Sequence, residues 1–253
     1  MPAVGGLVVV KFEIVSHCWN YYRMLTYQAS SVFLNPPIHD EVILTVYCSL
    51  SDDKKTKLRL DQMLGWDWPT NVTLNIEDIP KRKLFRRAIG RQMTAASTEA
   101  DWVWFADVDM FIGKRFWDGF KLAVESHPES PLLFPNSVLV SSQDEGDEMV
   151  IKSLDAATPQ LPSCEQFGEL RYPRAIGGVQ FVAGDALRQH GYVSSTSNYL
   201  REKDTFQSCR GDIAHRRHMV SRLEGASWLR VEMPDLYRIR HSERGRQKEG
   251  LEL

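Results

Sequence analysis

The chain has 253 residues, 43% hydrophobic and 25% charged, which is the ordinary composition of a globular protein with a substantial core. Its formal net charge of −2 gives no general attraction to nucleic acid or to acidic membranes. The four cysteines form no C-x-x-C pair, which argues against a zinc knuckle or a disulfide framework and favours reduced thiols.

The opening residues are interpreted as a first strand rather than as a targeting segment. MPAVGGLVVVKFEIV lacks a basic start and soon reaches Lys11 and Glu13, which a signal peptide would not contain at that place. No segment approaches the roughly 18 consecutive apolar residues of a membrane-spanning helix. We therefore expect a cytoplasmic protein without a membrane anchor of its own.

The first half of the chain alternates predicted strands and helices. Apolar periodicity and helix-stop signals place strands at 7–16, 41–47, 72–76 and from 102 onward, and helices at 20–33, 53–64 and 83–97. This βαβαβαβ order predicts an α/β fold, because parallel strands in one sheet are joined by right-handed helical crossovers.

The second half is less regular. We predict a helix at 116–126, a strand at 131–141, a long loop or lid at 142–172, a strand at 179–182, a helix at 212–223 and two short strands within 227–241. The residues from 242 onward are polar and basic. Neither an internal repeat nor a clear linker divides the chain.

The segment WVWFADVDM, residues 102–110, carries the strongest chemical signal. Its apolar run indicates a strand buried on both faces, and Asp107 and Asp109 follow at the carboxyl end, where open α/β sheets bind their ligands. Side chains two residues apart on a strand point the same way, so both carboxylates are expected to face one divalent ion. The alternative is a pair of exposed loop acids, or one acid that caps a helix.

Two later residues can complete such a site. His241 ends the segment YRIRH, where strand alternation places it on the face of Tyr237 and Ile239, opposite Arg238. Carboxylates with one imidazole suit Mn²⁺ or Mg²⁺ when diphosphate oxygens complete the shell, although a lone histidine is more often a core residue. Asp212 opens a predicted helix, where it is either an N-cap or a general base.

Arg87 and Arg91 lie four residues apart on one predicted helix, so they share a face. Because that helix leads to the D-x-D strand, a guanidinium at its near end would bind a phosphate or a carboxylate. An ordinary solvated basic face is the other interpretation.

Five segments, in their order along the chain, resemble the GT-A fold of nucleotide-sugar glycosyltransferases, most of all the large family 2 type. They are EIVSHCWNYYRMLTYQASSV, KLFRRAIGRQMTAASTEADWVWFADVDM, IGGVQFVAGDALRQHGY, RGDIAHRRHMVSRLEG and PDLYRIRH. The resemblance implies one domain over 1–253, with a Rossmann-like, mostly parallel sheet flanked by helices and a mixed C-terminal half. It places a nucleotide-binding half at 1–110, an acceptor and catalytic half at 111–241 and a polar tail at 242–253.

The resemblance also implies roles for individual residues. The nucleotide-sugar donor would contact Ser16, Asn20, Asp52, Arg87, Arg91, Asp107 and Gly178. A Mn²⁺ or Mg²⁺ ion would be held by Asp107, Asp109 and His241. Asp212 would be the base that takes a proton from the acceptor hydroxyl, in a single displacement that inverts the anomeric carbon.

The chain departs from the family pattern at two places. The aspartates Asp52 and Asp53 lie later than the family's Asp-Asp-Gly-Ser run, and Gly211 stands where the family has the glutamate of its Glu-Asp pair. The expected donor is a UDP-linked sugar. The expected acceptor is a hydroxyl on a glycan, a lipid-linked sugar, a protein or a nucleic acid.

Three other classes of protein share parts of this pattern. A haloacid-dehalogenase-like phosphotransferase also places D-x-D after an apolar strand, but near the start of its chain and with a later Gly-Asp plus a second aspartate, where this chain has Arg216. A sugar nucleotidyltransferase would have a Gly-rich run after its first strand, and SHCWNYYR has none. The third class is a non-catalytic sugar-nucleotide-binding domain with a decayed site, and the joint presence of Asp107, Asp109, Asp212 and His241 argues against it.

Overall fold

The computed structural model describes residues 9–152, 158–205 and 211–242. The strands are β1 (Lys11–His17), β2 (Glu41–Cys48), β3 (Val72–Asp78), β4 (Trp102–Phe105), β5 (Met110–Ile112), β6 (Leu132–Pro135), β7 (Ser137–Val140), β8 (Gly168–Arg171), β9 (Gln180–Ala183), β10 (Leu229–Val231) and β11 (Leu236–Arg238). The helices are α1 (Tyr22–Leu34), α2 (Lys54–Leu64), α3 (Lys81–Leu84), α4 (Arg87–Ser97), α5 (Phe116–Ser126), α6 (Gln143–Lys152), α7 (Gly184–His190) and α8 (Gly211–Arg222).

Seven of the strands form one sheet, in the order β10-β6-β9-β4-β1-β2-β3. β1 pairs in parallel with β2 and with β4, and β2 pairs in parallel with β3, which confirms the βαβαβαβ prediction for the first half. β9 is antiparallel to both β4 and β6. The sheet is therefore mostly parallel with one reversed strand, as expected for an α/β fold with a mixed C-terminal half.

The strand β4 is buried on both faces, as its sequence predicts. Trp102 and Trp104 pack into one hydrophobic cluster, while Val103 and Phe105 pack into another. The Trp104 ring stacks on Phe181 of the neighbouring β9, with 5.2 Å between the ring centroids. Aromatic pairs of this kind contribute beyond the area they bury, so β4 is anchored at the centre of the sheet.

The predicted helix at 83–97 is in fact two helices, α3 and α4. Arg86 between them leaves the helical conformation, with φ −120°. Its guanidinium donates hydrogen bonds of 2.9 Å and 3.1 Å to the carbonyls of Asn198 and Arg201. Because these partners lie more than a hundred residues away along the chain, local periodicity gives no sign of the break.

The predictions for 131–141 and 142–172 were wrong in detail. The first segment is two strands that belong to different sheets, β6 in the seven-stranded sheet and β7 in a four-stranded one. The second contains a helix, α6, and a strand, β8. All four residues of β8 are exposed, so no alternation of apolar residues marks it. The tail from 243 onward lies outside the described residues.

The four-stranded sheet, ordered β5-β11-β7-β8, holds the other side of the D-x-D segment. β5 begins directly after that segment and pairs antiparallel with β11, where Arg238 is opposite Met110. The segment between β4 and β5 thus connects the two sheets and is fixed at both ends. Across the described residues, no helix combines the length and the apolar character needed to cross a bilayer.

Candidate functional site

Asp107 and Asp109 lie in a turn, not on a strand. β4 ends at Phe105, and the backbone N–H of Met110 donates to the carbonyl of Asp107 at 3.0 Å. The strand-alternation argument therefore does not apply to the two aspartates. Their carboxylates contact different cations. Asp107 contacts Arg87 and Arg91, and Asp109 contacts Arg238.

The carboxylate of Asp107 is bound by α4. Arg87 donates to its Oδ1, and Nη2 of Arg91 lies 3.7 Å from the same atom. The two arginines share a face, as predicted, and they hold a carboxylate rather than standing free. Arg91 is almost fully buried, where its Nη1 donates to the Tyr192 hydroxyl at 2.9 Å. A buried guanidinium needs such partners, because an unpaired charge in the interior is strongly unfavourable.

The carboxylate of Asp109 faces β11. Nε of Arg238 donates to its Oδ2 at 3.0 Å, and Nε2 of His241 lies 3.9 Å from the same oxygen. The charge of the aspartate raises the pKa of the Arg238 guanidinium above its ordinary value. The predicted placement of Arg238 and His241 on opposite faces was wrong, because β11 ends at Arg238 and alternation does not extend to residue 241.

Two atoms of this cluster are suited to a metal ion. Oδ1 of Asp109 and Nδ1 of His241 are buried and have no hydrogen-bond partner among the described residues, which is unusual for buried polar atoms. A carboxylate oxygen and an imidazole nitrogen are donor types that Mn²⁺ accepts. Within the described ranges, however, no three histidine, cysteine or acidic side chains converge as a ready-made metal site. Asp107, the third expected ligand, is bound to Arg87.

Asp212 is attached to the loop that precedes β9. Its Oδ2 accepts a hydrogen bond of 2.8 Å from the backbone N–H of Gly177, and its carbonyl accepts one of 3.0 Å from Gln180 Nε2. The carboxylate thus binds a distant segment rather than capping its own helix. Gly177 has φ +60°, a left-handed conformation that glycine adopts without strain.

The neighbouring Gly178 packs directly against the aspartate turn. A Cβ atom at this position would lie 2.6 Å from the backbone nitrogen of Asp107 and 2.7 Å from Sδ of Met110, so only glycine fits. Gly177 and Gly178 therefore place Asp212 beside Asp107, from an element more than a hundred residues later in the chain. The structure brings these predicted residues together at the carboxyl end of β4.

The loop between β1 and α1 forms a second group of predicted residues. Asn20 has φ +56°, and its backbone N–H donates to Oδ2 of Asp53 at 2.6 Å. Asp53 also caps α2, accepting from the N–H of Thr56 at 3.0 Å. The Ser16 hydroxyl, at the carboxyl end of β1, is fully buried and has no hydrogen-bond partner in the described part of the chain.

Asp52 does not take part in the contact between the β1–α1 loop and α2. Its exposed carboxylate accepts from the hydroxyls of Ser49 at 2.7 Å and Ser51 at 3.2 Å, and the Ser49 hydrogen bond lowers its pKa. The aspartate that contacts Asn20 is Asp53, which sequence reasoning did not select. The available signal was that Asp53 is an acid at the start of a predicted helix, where aspartate is a favoured N-cap.

Comparisons with known sequences and structures give a consistent but distant likeness. No protein-family model matches the chain. No curated protein sequence matches it either. Solved structures do match: S. aureus TarS 1-349 in complex with UDP-GlcNAc has 12% identity and a TM-score of 0.57 over 95% of this chain and 62% of that one.

Two further structures of the same fragment match equally well. The complex with UDP has 12% identity and a TM-score of 0.57, and S. aureus TarS 1-349 alone has 11% identity and a TM-score of 0.54. Each match covers 90% of this chain. The same match covers 60% of the TarS 1-349 chain in both structures. Together with the sheet order, this likeness shows that the chain has a GT-A-type glycosyltransferase fold.

Proposed function

We propose that this chain is a glycosyltransferase that moves a sugar from a UDP-linked donor to an acceptor hydroxyl. The observation that carries the proposal is that Gly177 and Gly178 join Asp212 to the aspartate turn, which carries Asp107 and Asp109 at the carboxyl end of β4. Ligands of open α/β sheets bind at this end of the strands. Three acids there, in a GT-A-type fold, suit the departure of a diphosphate and the activation of a hydroxyl.

The donor would lie between the β1–α1 loop and the aspartate turn. The similar fragments were solved with UDP and with UDP-GlcNAc, which supports a uridine nucleotide sugar for this chain. Ser16 has a buried hydroxyl without a partner, and Asn20 is held in a left-handed conformation at the same end of the sheet. Arg87 and Arg91 supply positive charge for phosphate oxygens beside Asp107.

A divalent ion is part of the proposal. Asp109 and His241 would hold Mn²⁺ or Mg²⁺ through their unpartnered buried atoms, and Asp107 would contribute where Arg87 releases it. When bound, such an ion offsets the negative charge that develops on the leaving diphosphate. Positive side chains of the protein would act on the same negative charge. They are Arg87 and Arg91 beside Asp107, and Arg238 beside Asp109.

Asp212 is the proposed general base. The acceptor oxygen forms a bond to the anomeric carbon while the bond from that carbon to the diphosphate oxygen breaks, and the hydroxyl proton passes to the Asp212 carboxylate. One displacement of this kind inverts the anomeric centre. The hydrogen bond from Gly177 occupies only Oδ2, which leaves Oδ1 to take the proton.

Binding and turnover of UDP-GlcNAc test the proposal. We expect calorimetry to detect UDP with an affinity that Mn²⁺ increases, and we expect release of UDP from UDP-GlcNAc. Asp109→Ala should remove the effect of Mn²⁺ on binding, whereas Asp118→Ala, a change of an acid on α5, should not. Failure of the purified chain to bind UDP with or without Mn²⁺ would contradict the proposal.

A phosphotransferase of the haloacid dehalogenase type remains a second candidate that the same protein preparation can test. In that class the first aspartate of D-x-D, here Asp107, is the nucleophile. Its contacts with Arg87 and Arg91 reduce its freedom to attack a phosphate. Beryllofluoride labelling of Asp107 would favour the phosphotransferase, and UDP binding without labelling would favour the glycosyltransferase.

A further inference from the structure

A groove of about 470 Å³ opens beside α8, and none of the proposed donor or metal residues lines it. Trp228 contributes aromatic surface and the buried Phe134 lies at the base, while the charge comes from Arg174, Arg216 and Arg217. A volume of this size accommodates a small molecule or a few units of a chain. The groove is separate from the site at the aspartate turn.

The groove is positively charged and lacks a neutralising acid. No acidic residue lines it, and within the described parts of the chain Arg174, Arg216 and Arg217 have no carboxylate within ion-pair distance. The arginines of the aspartate turn differ, because each contacts Asp107 or Asp109. Three guanidinium groups without acids form a site for anions, since their planar forks match phosphate and carboxylate oxygens.

The groove adjoins the proposed base. Arg216 follows Asp212 by four residues on α8, so the two side chains lie on one face about one helical turn apart. Ala175, which also lines the groove, precedes by two residues the Gly177 whose N–H binds Asp212. A molecule held in the groove can therefore extend a hydroxyl towards the Asp212 carboxylate.

The arrangement of the groove favours a glycan over a nucleic acid. The half-buried Trp228 offers its ring to the apolar face of a sugar, whereas Phe134 is buried and the guanidinium of Arg230 lies 5.6 Å from its ring. Nucleic-acid binding depends on a long track of basic residues, whereas this groove is short and the whole chain has a net charge of −2.

Resting on the proposed function, we propose that this groove binds the acceptor, and that the acceptor is an anionic glycan carrying phosphate or carboxylate groups. Its charged groups contact Arg174, Arg216 and Arg217, and its sugar rings contact the aromatic surface. The same contacts present an uncharged hydroxyl of the chain to Asp212. The arginines thus select the acceptor, and the aspartate turn selects the donor.

Binding of defined tetrasaccharides tests this proposal without requiring turnover. The probes are maltotetraose, maltotetraose phosphate and tetragalacturonate, measured by calorimetry in the presence of saturating UDP. We expect at least one charged probe to bind about tenfold more tightly than maltotetraose, with an affinity that falls as salt rises. The stronger of the two charged probes identifies phosphate or carboxylate as the preferred group.

Two groove variants and one matched control assign the binding to these residues. Arg216→Gln and Arg174→Gln, changes on separate segments, should each weaken the preferred charged probe by about tenfold, the size expected for one charge-assisted contact. Arg222→Gln, an exposed change on the same helix outside the groove, should leave it unchanged. UDP affinity should be the same in all three, which also shows that the variants fold.

The outcomes separate the two proposals. Equal binding of neutral and charged probes, an unchanged affinity in both groove variants, or an equal loss in Arg222→Gln would overturn the anionic acceptor. Tighter binding of the single-stranded oligonucleotide dT8 than of either charged tetrasaccharide would also overturn it, in favour of a nucleic acid. Charged probes that bind as expected in a protein that neither binds UDP nor releases it from UDP-GlcNAc would contradict the glycosyltransferase proposal alone.

Discussion

The carboxylate of Asp212 accepts a hydrogen bond of 2.8 Å from the backbone N–H of Gly177. This contact joins the first turn of α8 to the loop that passes over the aspartate turn. It fixes one carboxylate oxygen and leaves the other for chemistry. The position of the proposed base is therefore set in part by a backbone amide.

Asp212→Asn tests the role of this carboxylate. The asparagine oxygen can still accept the N–H of Gly177, but an amide cannot take a proton from an acceptor hydroxyl. We expect UDP release from UDP-GlcNAc to fall by about 10²- to 10⁴-fold, with unchanged UDP affinity by calorimetry. Asp185→Asn, which alters an exposed acid on α7, is the control. Normal turnover of the Asp212 variant would contradict the assignment of Asp212 as the general base.

Arg238→Gln tests whether the arginine competes with a metal ion. The guanidinium lies 3.0 Å from Asp109, so its positive charge opposes the approach of a second cation to that carboxylate. Glutamine removes the charge and retains most of the side-chain length. We expect Mn²⁺ affinity, measured by titration with paramagnetic detection, to rise by about tenfold or more, because charges this close interact by several kcal/mol near a protein surface.

The matched control for that change is Arg240→Gln. Arg240 is exposed, and its backbone N–H donates to the Ser141 hydroxyl. This variant should bind Mn²⁺ as the unmodified chain does. Equal or weaker Mn²⁺ binding by the Arg238 variant would show that the guanidinium does not oppose a metal at Asp109.

Gly178→Ala tests the close approach between the glycine pair and the aspartate turn. The added Cβ would lie 2.6 Å from the backbone nitrogen of Asp107, which must move to accept it. We expect the free energy of unfolding to fall by about 1–3 kcal/mol, as in overpacked sites, together with weaker UDP binding. Urea denaturation and calorimetry measure the two effects.

Gly168→Ala is a control of the same chemistry. A Cβ atom at Gly168 meets nothing within 4 Å, and its backbone does not have a positive φ. The stability and UDP affinity of this variant should match those of the unmodified chain. If both glycine variants behave alike, the contact with Asp107 has no influence on the site.

The buried His215 predicts how stability depends on pH. Burial lowers its pKa from 6.5 to about 3, because the charged imidazolium loses its hydration inside the fold. Below pH 6.5, His215 therefore binds a proton in the unfolded chain but not in the folded chain. The titration of His215 should lower the free energy of unfolding as the pH falls from 6.5 to about 3, by up to about 1.4 kcal/mol per pH unit. Above pH 6.5 its contribution should be constant.

His215→Asn isolates that contribution. The histidine Nδ1 lies 2.6 Å from the carbonyl of Tyr192, and the asparagine amide can donate to the same oxygen without titrating. We expect urea denaturation at pH 7.5 and pH 5.5 to show a smaller pH effect in this variant. His39→Asn, a change of an exposed histidine, should keep the original pH effect. An unchanged pH effect in the His215 variant would assign it to other groups.

Local patterns in the sequence were sufficient for the first half of the fold. β1 to β4 and the helices between them follow from apolar periodicity, except for the break at Arg86 that separates α3 from α4. β5, β7 and β8 were not separated out, since they have three or four residues each and β8 is wholly exposed. Short strands at the edge of a second sheet obtain their structure from pairing, which no local pattern records.

The candidate site was likewise predicted only in part from the sequence. The acids Asp107, Asp109 and Asp212 were found because each stands at a recognisable place, after a buried strand or at the start of a helix. The partner Arg238 was missed as a contact of Asp109, since 129 residues separate the two in sequence. Which cation faces which carboxylate depends on the packing of the two sheets, and the sequence alone does not specify it.

The antiparallel pairing of β9 with β4 has a consequence for how the protein is made. The edge of β4 that faces away from β1 is covered only when β9 joins it, and Trp102 pairs there with Ala183. During synthesis the first four strands emerge long before that partner. A tryptophan-rich strand edge then stays open to other chains, which favours aggregation of unfinished molecules. The yield of folded protein should therefore depend on chaperones that cover this edge until β9 has been translated.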